Sequence, residues 1–232
     1  MAYRDSTTNS GNSATPSVTV PAGAASGDIA IVAINMDNAA NAVDPADLPA
    51  GFVELSEGDN TTDGQTSWVG WKRLSGADAG SYTFGSLGAV ADWVCQCILF
   101  SGRHATDPPV VSAIATNNTN NITGTAVTAN GVTALDGDDL VWVCSPDVTN
   151  ASAGNGATPP ASYVEAEDAE LTWANLAMAY RENVSAGATG TVSGSFAVTA
   201  TGFGYTAWLV RIPVAAAGGG TSILRQMMQH HR

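Results

Sequence analysis

The sequence predicts an all-β protein of the sandwich or barrel type. Short runs rich in Val, Ile, Thr and aromatic residues alternate with turns that contain Gly or Pro along nearly the whole chain, which is typical of these folds. No helical pattern of usable length precedes residue 221. One stretch of the first half also recurs in the second half, which indicates an internal duplication.

The recurring stretch combines an apolar strand with a second strand that follows a proline. The matching segments are residues 27–34 with 137–144 and residues 49–54 with 160–165. Pro49 lies 21 residues after Asp28, and Pro160 lies 21 residues after Asp139. We therefore expect Asp28 and Asp139 to be equivalent, at an offset of 111 residues.

Six strands are expected in the first half, each for a local reason. A short alternating run ends at Pro21, an Ile- and Val-rich run bounded by turn residues is typical of a central strand, and a third strand follows a Pro-Ala-Gly turn. An alternating segment then places Trp68 on the face opposite Val69 and Trp71. A Tyr-Thr-Phe strand and the longest apolar run complete the half. The expected strands are residues 17–20, 28–36, 52–55, 66–74, 82–84 and 91–100.

The second half repeats this order, so about twelve strands are expected in all. Its expected strands are residues 125–133, 140–144, 163–167, 171–181, 196–199 and 205–214. Within them Tyr180 and Arg181 match Trp71 and Lys72, with a drift of two residues in spacing. We expect the halves to interlock in one sandwich related by a pseudo-twofold axis, because residues 101–122 contain no clean linker. Two separate sandwiches are the alternative.

Segments of different composition flank this body. Residues 1–15 are mainly Ser, Thr, Asn and Gly without a period, and we expect them to form a flexible N-terminal arm. The duplicated sandwich is expected over residues 16–214, with halves at about 16–105 and 123–214. Residues 215–232 begin with a Gly-rich spacer and are expected to end in a short docking peptide.

The C-terminal peptide carries apolar residues at helical spacing after Thr221 and Ser222, either of which could cap a helix. The candidate partner-docking residues are Ile223, Leu224, Arg225, Met227 and Met228. So short a helix is not stable alone, and a partner would have to supply its packing. A frayed terminus is the alternative.

The net charge of −13 restricts the partners that the chain can bind. Eight Lys and Arg residues stand against 21 Asp and Glu residues, and Lys72 is the single lysine. Such a chain is repelled by nucleic acids and by anionic membranes, so we expect neither as a main partner. The N-terminal residues lack the apolar core of a signal peptide, and no run reaches the roughly 20 apolar residues that span a bilayer. A soluble protein made in the cytoplasm, with three free buried cysteines, is therefore expected.

No catalytic motif emerges, so we expect neither an enzyme nor a cofactor. His104 is the only histidine before the C-terminal peptide, and no nucleophile elbow, phosphate loop or dinucleotide fingerprint occurs. Asp136, Asp138 and Asp139 could bind calcium through their oxygen atoms. Gly-Asp before a strand is also a good turn, and we favour that interpretation over a metal site.

A second group of carboxylates lies on and after a predicted strand. Its members are Glu165, Glu167, Asp168 and Glu170. A glycosidase needs two carboxylates in a cleft. Clustered charge along a strand instead blocks unwanted pairing at a sheet edge, and we expect a solvated edge here.

The six tryptophans divide into two groups. Trp93, Trp142 and Trp208 occur in the most apolar strands and are expected in the core. Trp68, Trp71 and Trp173 lie in alternating segments, where one of them could be exposed and stack against a sugar ring. Burial in the core or in an interface is favoured for these residues as well.

The order of short motifs in the first half resembles a family of duplicated β-sandwich proteins of tailed bacteriophages and prophages. The motifs are Ser17-Val18-Thr19-Val20-Pro21, Gly27-Asp28-Ile29, Pro49-Ala50-Gly51-Phe52, residues 68–73, Ser81-Tyr82-Thr83-Phe84 and Ile98-Leu99-Phe100-Ser101-Gly102. The resemblance covers residues 15–214. The second half departs from the pattern at Ser162-Tyr163 and at Thr191-Val192.

This resemblance implies a jelly-roll-like structural component of a virion and no catalytic residues. We therefore expect a capsid decoration or cement protein that binds the outer head surface as a symmetric oligomer, most simply a homotrimer. Its partner would be the major capsid protein or another virion structural protein. The alternative is a glycan-binding adhesion module of a head or tail fibre that uses Trp68, Trp71 or Trp173.

Overall fold

The computed structural model describes residues 3–38, 43–60, 64–76, 78–117, 126–146, 156–171, 174–196 and 204–214. These residues contain eighteen β-strands and no α-helix, so the all-β prediction is confirmed. Consequently none of the described residues forms a helix that could cross a bilayer.

Seven strands lie in the first half. They are β1 (Tyr3–Ser13), β2 (Ser17–Thr19), β3 (Ile29–Met36), β4 (Val53–Asn60), β5 (Gln65–Arg73), β6 (Ser81–Thr83) and β7 (Ala91–Phe100). Five of them form a large antiparallel sheet in the order β1-β7-β3-β5-β4, and β2 pairs with β6 in a small sheet.

Eleven strands lie in the second half. They are β8 (Val110–Val111), β9 (Ala115–Asn117), β10 (Ala126–Ala129), β11 (Thr133–Ala134), β12 (Asp139–Pro146), β13 (Ala157–Thr158), β14 (Val164–Glu170), β15 (Asn175–Arg181), β16 (Gly187–Ala188), β17 (Val192–Phe196) and β18 (Tyr205–Ile212). The large sheet has the order β14-β15-β12-β18-β8, with β9 also paired to β18. Two small sheets, β10-β17-β13 and β11-β16, complete the half.

The sheets stack in four layers with three hydrophobic cores. The two large sheets face each other across a central core, which includes Ile31, Ile98, Val141, Met178 and Trp208. The small sheets cover the outer faces of the large ones and enclose two outer cores. The outer core of the first half includes Val18, Trp68, Phe84 and Cys97, and that of the second half includes Val127, Trp142, Phe196 and Leu209.

The middle position of the large sheets explains their continuous apolar runs. Successive residues of a strand point to opposite faces, so Ile31 enters the central core while Val32 enters the outer core. A strand that is buried on both faces needs apolar residues at every position. All eight residues of β3 are buried for this reason, and so are all eight of β12.

The duplication is visible in the strand order of the two halves. Reading each large sheet from one edge, β4-β5-β3-β7 of the first half corresponds to β14-β15-β12-β18 of the second. Both edge pairs carry a bulge at the same place, between Glu54 and Ser56 in β4 and between Glu165 and Glu167 in β14. The two halves do not exchange strands within the described residues; they pack through the faces of their large sheets.

Hydrogen bonds correct the predicted match of Asp28 with Asp139 by one residue. The Asp28 carboxylate accepts the Ala25 N–H at 3.0 Å, and the Asp138 carboxylate accepts the Leu135 N–H at 2.8 Å. The two backbone carbonyls likewise accept equivalent N–H groups, both at 2.9 Å. Asp138 is therefore the structural equivalent of Asp28, because the second half carries an additional acid after the Gly-Asp pair.

The N-terminal segment that was expected to be a flexible arm is a packed edge strand over Tyr3–Ser13. It pairs with β7 along its length, and the Trp93 indole N–H donates to Ser13 Oγ at 2.9 Å. Tyr3 stacks on Tyr180 of the second half with ring centroids 4.2 Å apart. This strand is polar because an edge strand gains backbone hydrogen bonds without needing two apolar faces.

The predicted link between the halves contains the equivalent edge strand. Residues 101–122 include β8 and β9, and both strands pair with β18 as β1 pairs with β7. The first half therefore begins before residue 16, and the second half begins before residue 123.

Candidate functional site

The tryptophans predicted to form the core do so. Trp142 and Trp208 are fully buried, and Trp93 is 6% exposed. Trp68, which was considered as a sugar-stacking residue, is also fully buried, with its indole N–H donated to Glu54 at 3.2 Å. An aromatic ring enclosed in a core cannot stack against a sugar, so the structure excludes this role for Trp68.

The two other candidate stacking residues differ in position. Trp71 is half-buried at the border of the central core, and the Arg73 guanidinium lies 5.8 Å from its ring. Trp173 lies outside the described residues. The candidate docking residues of the C-terminal peptide also lie outside them. They are Ile223, Leu224, Arg225, Met227 and Met228.

The carboxylates considered for calcium bind the protein itself. Asp136 accepts the Ala186 N–H at 2.7 Å, and Asp139 accepts the Asn183 N–H at 3.0 Å. Asp139 also forms a buried ion pair with Arg103 at 3.0 Å. Burial raises the pKa of Asp139 to about 6, although the Asn183 N–H and Arg103 act in the opposite direction.

The Asp138 carboxylate likewise binds groups of the protein itself. Its carboxylate caps the turn at Leu135, accepts the Val214 N–H at 3.1 Å and lies 3.4 Å from Arg211. No group of three or more potential metal ligands occurs among the described residues. The acidic turn therefore fixes the entry of the chain into β12.

The acidic strand β14 forms an edge of the second large sheet, as predicted. Glu165 is exposed, whereas Glu167 and Asp168 are half-buried. Asp168 accepts the Ala157 N–H at 2.7 Å. Burial raises the pKa of Glu165, Glu167 and Asp168, and neighbouring carboxylates raise the pKa of the first two further. The side chain of Glu170 lies outside the described residues.

The remaining nucleophilic and titratable candidates have structural surroundings. Cys95, Cys97 and Cys144 are free and buried, as expected, and burial raises the pKa of each thiol. His104 lies in the loop after β7, where its Nδ1 accepts the Asp107 N–H at 2.9 Å. These residues do not lie together in a cleft with an activating partner.

The first half contains a polar pocket of about 420 Å³ beside its Pro-Ala-Gly turn. Lys72 and Asp78 meet there in an ion pair of 2.7 Å, with both side chains 18% exposed. The Tyr82 hydroxyl donates to the same Asp78 oxygen at 3.0 Å. The Lys72 ammonium also lies 5.3 Å from the Tyr82 ring and 5.9 Å from the Phe52 ring. The first half thus supplies the acid, Asp78, that neutralises Lys72.

The second half contains a pocket of about 400 Å³ at the corresponding place. Pro160, Ala161 and Arg181 line it, as Pro49, Ala50 and Lys72 line the first pocket. Arg181 is exposed and has no ion-pair partner among the described residues. Tyr163 also lines the pocket, and its buried hydroxyl oxygen has no hydrogen-bond partner there.

Both ends of the described chain lie at one end of the sandwich, which we call the turn end. It is formed by Tyr3, Arg103, Asp138, Glu182 and Val214. The Tyr3 N–H donates to Glu182 at 2.7 Å, and Val214 forms a β-bridge with Arg103. The loop that begins at Glu182 continues into residues that line the second pocket. The pocket therefore lies near Val214, the last described residue.

Sequence reasoning matched Lys72 with Arg181 but missed the pockets in which they lie. The location of each pocket depends on which residues of the loop opposite Lys72 or Arg181 lie close to that cation. A comparison of the two loops after β5 and β15 at an offset of 110 residues would have shown that Ala188 stands where the first half has Asp78.

Comparisons with known proteins identify no family. No protein-family model and no curated protein matches the chain. A solved structure with limited similarity is the crystal structure of the STIV MCP. That chain has 9% identical residues and a TM-score of 0.27, and the match covers 90% of this chain and 97% of that chain.

Proposed function

We propose that the protein is a non-enzymatic structural protein of a bacteriophage virion, a decoration or cement protein that binds the outer head surface as a symmetric oligomer. The sandwich is the rigid body, and residues 215–232 attach it to the major capsid protein or to another virion protein. Synthesis in the host cytoplasm precedes its assembly onto the particle.

The observation that carries the proposal is that the described chain ends with Val214 at the turn end of a four-layer body. After Val214, 18 residues remain, beginning with a Gly-rich spacer. Fully extended, they would reach up to about 60 Å. A rigid body with a tether of this length can bridge neighbouring subunits of a shell.

The surface of the body is consistent with a role in assembly. Exposed apolar side chains occur on both large sheets, at Val53 and at its equivalent Val164, which are 52% and 56% exposed. Val110, which is 44% exposed, lies on β8, close to β4. Symmetric copies that bury such residues, together with neighbouring polar surface, would add contact area across capsomer seams. A stable contact of this kind requires roughly 1,200–2,000 Å² in total.

Deletion of residues 218–232 tests the attachment mechanism. We expect the truncated protein to keep the unfolding midpoint of the full chain and to lose occupancy on particles, measured by quantitative gel analysis of purified virions. The triple variant Ile223→Ser, Leu224→Ser, Met227→Ser should behave in the same way. A matched control, Gln226→Ser with Gln229→Ser, should bind normally. Full occupancy of the truncated protein would contradict the proposed role of the tail.

A cryo-electron density map of intact particles tests the location. Density for the four-layer body on the head lattice, in threefold-related copies, is the expected result. Density confined to a tail or fibre would contradict decoration and would favour the glycan-binding alternative, with Trp71 and Trp173 as the remaining stacking candidates.

A further inference from the structure

The first difference between the two related pockets is that the acid of the first pocket has no counterpart in the second. Leu74 and Val184 donate N–H groups to the equivalent Asp28 and Asp138 carbonyls, and they are 110 residues apart. Gly80 and Gly190 follow at the same offset, both with positive φ, at 84° and 66°. Between these fixed points, Ala188 is the counterpart of Asp78.

The aromatic partner of the acid is missing as well. Tyr82 pairs with Val18 across the small sheet of the first half, and Val192 pairs with Ala129 at the equivalent place. The second pocket therefore retains a cation, Arg181. It lacks a counterpart of the Asp78 carboxylate that pairs with Lys72, and a counterpart of the Tyr82 hydroxyl that donates to Asp78. Arg181 is left exposed at the wall of an open pocket.

A different tyrosine lines the second pocket. Tyr163 replaces Phe52 after the proline turn, and its hydroxyl oxygen is buried without a partner among the described residues. Burial raises the pKa of this phenol to about 12, and the nearby Arg181 charge acts in the opposite direction. The Arg181 guanidinium can form charge-assisted hydrogen bonds with a carboxylate, and these are stronger than hydrogen bonds between neutral groups.

We propose that the second pocket binds a carboxylate on Arg181, in the place that Asp78 occupies in the first pocket. The ligand is an acid that the second half does not supply. It comes from a small free carboxylate or from the Asp or Glu side chain of a second copy of this acidic chain. This inference does not depend on the proposed virion role.

Acetate is the probe for the test, because it is the simplest carboxylate. In the full-length protein, the Arg181 Nε–H and Val192 N–H resonances should shift in a saturable manner during an acetate titration at constant ionic strength. Acetamide, which has the same shape and no charge, should give no saturable shift. Arg181→Gln should abolish the acetate response, and Arg181→Lys should retain it.

Two converse variants use the first pocket as an internal control. Ala188→Asp should fill the second pocket with an internal acid and abolish the acetate response there. Asp78→Ala should release Lys72, and the first pocket should then respond to acetate. If Lys72 stays unresponsive in Asp78→Ala, the first pocket is not a valid template and the proposal fails.

Sedimentation distinguishes the two sources of the carboxylate. If a second copy supplies it, the wild-type protein self-associates with increasing concentration, acetate reverses the association, and Arg181→Gln remains monomeric. If the ligand is a free carboxylate, acetate saturates the NMR response while the sedimentation coefficient stays constant. An acetate response that is equal in wild type and Arg181→Gln, or that never saturates, would overturn the proposal.

Discussion

At the residue scale, the duplication places the same backbone turn in two chemical contexts. Gly51 and Ser162 occupy equivalent positions after their prolines, and both have positive φ, at 83° and 71°. Glycine adopts this conformation readily, whereas a residue with a Cβ atom is strained there by about 1–2 kcal/mol. Ser162 is therefore a strained residue, and the glycine at the equivalent position of the first half avoids this strain.

We predict that Ser162→Gly stabilises the protein by about 0.5–1 kcal/mol. The relief of strain exceeds the extra conformational entropy that glycine gives to the unfolded chain, which is roughly 0.4–1 kcal/mol. The reciprocal variant Gly51→Ser should be destabilised, because its Cβ would also lie 3.2 Å from the Lys72 side chain. Urea unfolding of both variants measures the difference, and equal midpoints for the two would contradict the prediction.

The same scale shows where sequence reasoning reaches its limit. The burial of Trp142 and Trp208 could be predicted because the surrounding residues are apolar on both faces. The burial of Trp68 could not be predicted with the same ease, since its strand alternates with polar and charged residues. Whether Asp138 or Asp139 is the equivalent of Asp28 is decided by backbone hydrogen bonds. The sequence spacing of two adjacent acids cannot reveal these bonds.

At the scale of elements, apolar strands were predictable and polar edge strands were not. Strands β3, β7 and β12 lie inside the four-layer stack, so their continuous apolar composition predicts that they are buried on both faces. Strands β1 and β9 are held by backbone pairing at a sheet edge. Ser, Thr and Asn are compatible with such a strand, but they are equally common in loops. Hydrophobic periodicity carries no signal for such strands.

The packed N-terminal strand leads to a prediction about truncation. Removal of residues 1–13 should lower the unfolding midpoint strongly, because it exposes the edge of β7 and removes the stack of Tyr3 on Tyr180. Thermal unfolding, monitored by circular dichroism, measures the effect. Removal of residues 221–232 is the matched control and should leave the midpoint unchanged. An N-terminal truncation that unfolds at the temperature of the full chain would show that β1 adds no stability.

At the scale of the whole molecule, the four-layer stack makes each half dependent on the other. Each large sheet buries one face against the small sheet or sheets of its own half and the other face against the large sheet of the other half. An isolated half would expose the central core, including Ile31 and Ile98 in the first half. A contiguous exposed patch of that kind is unusual on a monomeric protein. The duplicated halves therefore form a single cooperative body.

The distribution of carboxylates across this body predicts its response to pH. Burial raises the pKa of six described carboxyl groups: Asp37, Glu57, Asp139, Glu165, Glu167 and Asp168. For Asp139 the raised pKa is about 6. A group whose pKa is higher in the folded state than in the unfolded state binds more protons when folded. Its contribution to stability is therefore complete at low pH and is lost as the pH rises through the folded-state pKa.

We accordingly predict that the urea midpoint is higher at about pH 5 than at about pH 7. Added salt at the higher pH should recover part of the difference, because it screens repulsion between exposed carboxylates but not the cost of burial. The double variant Glu165→Gln, Glu167→Gln should show a smaller change between the two pH values, since two of the responding groups are removed. A midpoint that rises from the lower to the higher pH would contradict the prediction.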